Sequence, residues 1–216
     1  MTEKAAPRDR ALLIFVGFAT AIILAHVLDP WAYHALRLDG VYSGDLGRLL
    51  RVQGFLPTWI VVGVVLALHD PERGWRVLRG RGGLLVLSAG LGGVVAEGLK
   101  LVFRRLRPGE LGEYVFRPFT ERPFHSGGLG LPSSHALVAF GAAAMLSRLF
   151  PRARLLWWSL AWGCALSRVA AGAHFLSDVV VAAVLGWLVG ALVWQWRDAA
   201  APPARPTRRR TAHAVP

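Results

Sequence analysis

The stretch Ser167–Trp196, SRVAAGAHFLSDVVVAAVLGWLVGALVWQW, decides how the rest of the chain is read. From Leu176 onward it is apolar except for Ser177, Asp178 and Gln195, and at about 1.5 Å per residue it is long enough to cross a hydrocarbon core of about 30 Å. Its mouth nevertheless carries Arg168, His174 and Asp178. Ionisable groups near membrane depth are costly, so they point to function by default. His174 and Asp178 are four residues apart, which stacks them on one helix face, where a carboxylate fixes the imidazole tautomer and stabilises the imidazolium. A histidine held this way is a positioned nucleophile. A structural His–Asp hydrogen bond, or a pair of metal ligands, would use the same spacing.

Outward from this segment, apolar runs recur at Ala11–Leu28, Leu50–His69, Gly83–Phe103, His135–Phe150 and Leu155–Ala173. With Leu176–Trp196 they make six passes, so the predicted fold class is all-α, a six-transmembrane-helix bundle. Gly and Ala in stretches such as Leu87–Gly98 favour close approach between membrane helices. A hydrophobic content of 54% and a mean hydropathy of +0.43 suit such a bundle better than a soluble domain of 216 residues. Residues 1–197 read as a single integral membrane domain, and 198–216, Ala/Pro-rich with Arg208-Arg209-Arg210, as a disordered basic tail drawn to anionic lipid. The net charge of +12 does not indicate nucleic acid, because the arginines lie between apolar runs and in the tail rather than among aromatics along one segment.

Other features are less specific. Lys4, Arg8 and Arg10 before the first apolar run also have the form of a signal peptide, although no clear small-x-small cleavage site follows. Trp31–Arg51 reads as an amphipathic interfacial segment, and Trp157, Trp158, Trp187, Trp194 and Trp196 as a headgroup belt. Cys164 is the single cysteine, which excludes an intrachain disulfide and a thiol-based zinc site. Six passes place both termini on one face. That face, with the N-terminus, the Arg73–Arg81 loop, the Arg148–Arg154 turn and the tail, is richer in Lys and Arg. The positive-inside rule then puts the termini in the cytoplasm of a bacterial-type inner (plasma) membrane and the ionisable clusters on the extracytoplasmic side.

Two more clusters fall on that side. Lys100 and Arg107-Pro108 are seven residues apart, so on a continuous helix they share a face with Arg104 and converge on one anion; a basic stop-transfer end has the same appearance. Pro132-Ser133-Ser134-His135 immediately precedes an apolar helix whose unpaired N–H groups form an anion site. There His135 can give a proton to a leaving oxygen, the alternative being an ordinary capped helix start with an interfacial histidine. The segment 108–131, with Arg117, Arg122 and His125, is the longest polar excursion and the candidate for a substrate-shaping lid.

In these residues the chain resembles the type 2 phosphatidic acid phosphatase superfamily, whose signature is Lys-x6-Arg-Pro, Pro-Ser-Gly-His and Ser-Arg-x5-His-x3-Asp. The first and third parts match at every specified position, and the second departs once, with Ser134 in place of Gly. The resemblance implies a phosphohistidine mechanism. His174 would attack phosphorus, Asp178 would orient it, and His135 would protonate the departing oxygen and later activate water. Lys100, Arg107, Arg168, Ser133 and the Ser134 amide would hold the phosphoryl oxygens, with no metal and no other cofactor. The implied partner is the membrane and a lipid phosphate, a phosphomonoester or diphosphate. The small six-pass form and outward-facing site put undecaprenyl diphosphate ahead of phosphatidic acid, phosphatidylglycerol phosphate or lipid A. A lipid phosphotransferase with the same nucleophile, or a non-catalytic protein that binds anionic headgroups, would use the same residues. Oligomeric state is not encoded in these motifs.

Overall fold

The computed structural model describes residues 7–70 and 74–199. They form seven α-helices: α1 (Pro7–Leu36), α2 (Asp45–Val52), α3 (Leu56–Leu68), α4 (Arg81–Phe103), α5 (Ser134–Leu149), α6 (Arg154–Ala170) and α7 (Leu176–Ala199), with 3-10 turns at Gly74–Arg79 and Pro151–Ala153. Among the described residues β-pairing is limited to two isolated bridges, Arg105 with Phe116 and Leu106 with Leu129.

α5 is Ala-rich and apolar on every side, so it has no polar face to present outward and takes the centre. Every residue from Ala136 to Leu146 is buried. α4, α6 and α7 pack around it, α3 lies on α4, and α1 on α7. The approach is close where glycine allows it. A Cβ added at Gly141 would stand 2.8 Å from the Ser88 carbonyl oxygen, and one at Gly186 2.6 Å from Phe140 Cβ. α4 and α6 end, and α5 and α7 begin, at one end of the bundle, so all three motifs are gathered there.

Several sequence expectations change. α1 runs on past Leu28 to Leu36, through Pro30, and takes in the first residues of the expected interfacial segment. Its apolar side chains, such as Leu12 (62%) and Val27 (69%), remain exposed, a surface suited to lipid. The expected pass Leu50–His69 is broken, with α2 and α3 meeting at 67°. Pro57 sits in the first turn of α3, where its missing N–H breaks no helix bond. At the bend, Gly54 passes His135 so closely that a Cβ would lie 2.6 Å from His135 Cβ.

By length and composition three helices qualify as spans, Arg8–Leu36, Arg81–Phe103 and Leu176–Ala199, or four if α2 and α3 form one broken span. Six is therefore more than these criteria give. α5 and α6 have 16 and 17 residues, about 24–26 Å of helix, which suits them to positions shielded by longer neighbours. Trp157 and Trp158 pack onto the core instead of standing in a belt. Of the expected tail, Asp198 and Ala199 complete α7, and 200–216 lies outside the described residues.

Candidate active site

α4 stops at Phe103 because Arg104 turns into the left-handed region, φ 56°. Lys100, Arg104 and Arg107 therefore do not share a helix face. The left-handed geometry costs about 1–2 kcal/mol for a residue with a Cβ, and the Arg104 side chain more than offsets it. Its buried guanidinium donates to the carbonyls of Arg117 (3.0 Å), Pro118 (2.8 Å), Glu121 (2.5 Å) and Pro123 (3.3 Å). Arg117 in turn donates to the carbonyls of His125 (2.9 Å) and Gly127 (2.6 Å), and the Tyr33 hydroxyl donates to Gly109 O at 2.5 Å. The segment expected to be a lid is thus held as a fixed wall, with Arg122 and His125 exposed on it.

The next residue, Arg105, is fully buried and faces the opposite way. It donates to Asp178 Oδ1 at 2.6 Å and Ser177 Oγ at 2.7 Å, and lies 4.0 Å from Asp29 Oδ2. Asp29, from α1, accepts from the Ser177 amide (2.7 Å), the Ser177 hydroxyl and the Tyr114 hydroxyl (2.5 Å). Burial and the adjacent Asp29 push the Tyr114 hydroxyl up to about 12, so it remains a neutral donor. One guanidinium thus lies between two buried carboxylates. Sequence reasoning assigned neither Arg105 nor Asp29 a role.

Asp178 Oδ2 accepts from the Phe175 amide at 3.0 Å and faces His174 Nδ1 at 3.3 Å. With Nδ1–H turned to the carboxylate, Nε2 keeps its lone pair. Burial holds the His174 pKa below the ordinary 6.5, although Asp178 pulls the other way. The ring is neutral at neutral pH, as a nucleophile must be.

Ser133 caps α5, its Oγ accepting from the Ala136 amide at 3.5 Å, while its own amide donates to Asp178 O at 3.2 Å. Ser134 Oγ donates to Glu97 Oε1 at 2.6 Å and accepts from Lys100 Nζ, which also donates to Glu97 Oε1 at 2.8 Å. Glu97, one helical turn before Lys100, is another participant that the motif reading passed over. The hydroxyl that replaces the family glycine is therefore a link between Lys100 and Glu97. Since Glu97 alone still holds Lys100, Ser134→Gly is expected to change phosphate release by no more than about fivefold, the worth of one hydrogen bond. Ser134→Val, which crowds the site and breaks the link, should lower it at least about tenfold; a phosphate-release assay on both variants checks this.

Two arginines have donors to spare. Arg168 is buried and donates to the Tyr42 hydroxyl at 3.0 Å, but its Nε has no partner. Arg107 stands exposed at the mouth of the site, and its guanidinium bonds to no described residue; partial desolvation and the charge of Arg168 both depress its pKa. A buried and an exposed cation that repel each other with unspent donors form an arrangement completed by an anion. His135, in the first turn of α5, is half-buried, and Arg168, Arg51, His174 and Arg107 are near enough for their charges to act on the ring. The three sequence clusters are joined by direct bonds, Lys100 to Ser134, Arg105 to Asp178 and Ser133 to Asp178, so the residues singled out in the sequence meet at one end of the bundle.

The family model described as the PAP2 superfamily matches residues 81–202. Two curated relatives, each named lipid A 1-phosphatase, are 27% identical to this chain. The one from Rhizobium etli aligns over 154 residues, 66% of this chain and 66% of the relative, and the one from Rhizobium johnstonii over 153 residues, 65% and 62%. The alignments thus span just under two thirds of the relatives' length. A crystal structure of a transmembrane PAP2 type phosphatidylglycerolphosphate phosphatase from Bacillus subtilis superposes with a TM-score of 0.63 over 89% of this chain and 98% of that one, at 20% identity, a likeness of fold.

Proposed function

This chain belongs to the PAP2 superfamily, and we propose that it is a membrane lipid-phosphate phosphatase that works through a phosphohistidine. The observation that carries this is the buried His174, its Nδ1 side held by an Asp178 that Arg105 fixes in turn. Lys100, Arg107, Arg168 and the first amides of α5 take the phosphoryl oxygens. Nε2 of His174 forms a bond to phosphorus; the P–O bond to the leaving group breaks, its electron pair goes to the leaving oxygen, and His135 supplies the proton. His135, now neutral, takes a proton from water, which attacks phosphorus and frees His174 and inorganic phosphate. The fixed cations meet the charge that builds on the phosphoryl oxygens, the task a metal ion does elsewhere.

A single membrane unit over residues 1–197 suits this role, since the apolar tail of the substrate never leaves lipid. With six passes, the Lys/Arg asymmetry supports cytoplasmic termini and an extracytoplasmic site in a bacterial-type plasma membrane. The names of the relatives favour a lipid A-type glycosyl 1-phosphate as substrate, while the surroundings of His135 favour a lipid diphosphate such as undecaprenyl diphosphate. Phosphate release by the purified protein from prenyl diphosphates, lipid A, phosphatidic acid and phosphatidylglycerol phosphate tests the proposal; release from none of them would overturn it. Activity is expected to survive metal chelation and to fall with vanadate. Loss in chelator, restored by a divalent ion, would contradict the metal-free cradle.

A further inference from the structure

α2 buries none of its residues, yet it is seated against the catalytic end. It packs on α6, where Leu50 fills the place of the missing Gly163 side chain; a Cβ there would lie 2.5 Å from Leu50 Cδ2. Between α2 and α5 opens a cavity of about 600 Å³ lined by Tyr42, Arg48, Arg51, Val52, Phe55 and His135. His174 does not line it. The Arg51 guanidinium stacks on the Tyr42 ring at 5.0 Å and bonds to no described residue. Arg48 Nε donates to Tyr42 O at 3.0 Å, and its Nη1 pairs with the exposed Asp45 at 3.8 Å. The Tyr42 hydroxyl is also the partner of Arg168, so one residue joins this cavity to the phosphoryl cradle.

In an in-line displacement, the nucleophile and the leaving oxygen lie on opposite sides of phosphorus. With His174 on one side and His135 on the other, the atoms beyond the leaving oxygen enter this cavity. The lining there offers two guanidinium groups, that of Arg51, whose charge reaches the His135 ring, and that of the more exposed Arg48, beside the apolar Val52 and Phe55, which are 42% and 55% exposed. Charge beside the leaving oxygen followed by an apolar chain is the chemistry of a lipid diphosphate. We propose that the cavity between α2 and His135 is a subsite for the second phosphate of a lipid diphosphate, with Arg48 and Arg51 as its specificity-determining residues. The proposal rests on the phosphatase reading above and adds the nature of the leaving group. Nε2 of His174 bonds to the terminal phosphorus, the bridging P–O bond breaks, and its electron pair stays on the bridging oxygen, now part of a lipid monophosphate. Arg48 and Arg51 balance the charge of that leaving group, and His135 protonates it. A neutral alcohol or sugar leaving group gains nothing from the two arginines.

The test uses the full chain in detergent with farnesyl diphosphate and farnesyl monophosphate, which share one tail. In the Arg48→Ala/Arg51→Ala variant, the diphosphate-to-monophosphate ratio of kcat/KM is expected to fall at least about tenfold, the scale on which charge-assisted contacts discriminate. Arg51→Lys, which keeps the charge, should fall between the wild type and the double variant. The ratio is its own control for folding, because a damaged protein loses both activities together. An unchanged ratio, or a wild type that hydrolyses the monophosphate but not the diphosphate, overturns the subsite and leaves the phosphatase reading intact. A wild type that releases phosphate from neither compound, nor from any other lipid phosphate, overturns the phosphatase reading itself.

Discussion

Replacing His174 with alanine is expected to lower kcat for phosphate release at least about a thousandfold, while lipid-phosphate binding persists. The variant removes the atom that bonds to phosphorus but leaves Lys100, Arg107 and Arg168 in place. Turnover is measured by phosphate release and binding by retention on lipid-phosphate vesicles. A variant that still turns over, or that loses binding and turnover equally, would remove His174 from the nucleophile's position. The pH profile carries the same signature. Only the neutral ring has a free Nε2 lone pair, and burial holds the pKa of His174 below the ordinary 6.5. Activity governed by this group is therefore retained down through pH 6.5 and lost at lower pH, as the ring takes up a proton. Asp178→Asn should slow turnover more than it weakens binding, because the carboxylate orients the ring and stabilises the imidazolium in the transition state.

The second large effect falls on stability as well as rate. Arg105→Met leaves Asp29 and Asp178, both fully buried, without the cation between them. Breaking a buried pair by removing one partner costs about 3–5 kcal/mol, which should appear as a markedly lower midpoint of thermal unfolding. Phosphate release should fall with it, since Asp178 no longer has a fixed position from which to hold His174. Adding Asp29→Asn removes one uncompensated carboxylate and should recover part of the stability but little of the activity. An Arg105→Met protein that melts like the wild type would show that Arg105 does not balance these carboxylates.

The helical class and the meeting of the motifs were legible because each motif adjoins an apolar run, and membrane helices that end on the same face bring such mouths together. What the sequence hid was direction. Arg104, Arg105 and Arg107 form one basic run, and nothing local says that Arg104 faces loop carbonyls, Arg105 the catalytic carboxylate and Arg107 the open end of the site. The left-handed turn at Arg104 makes that division, and it is stabilised by carbonyls from residues 117 to 123. Asp29 was illegible for a similar reason, since its partners Tyr114 and Ser177 come from segments 85 and 148 residues away. Glu97 is a lone acidic residue in an apolar run, and only the packing of α4 against α5 shows that it shares Lys100 with Ser134. The Leu50–His69 run contains Gly54 and Pro57, and hydropathy alone does not show that the chain bends there. That break turns α2 across the end of the bundle, towards His135.

The most direct test of the account is to capture the covalent intermediate. The purified protein is mixed with a lipid phosphate radiolabelled at the terminal phosphorus, quenched within one turnover, and analysed for protein-bound label. The expected result is an acid-labile, base-stable phosphoryl group on His174 that is absent from the His174→Ala variant and that disappears at the rate at which phosphate is released. Label on another residue, or full turnover with inversion at phosphorus and no labelled protein at any time, would contradict it.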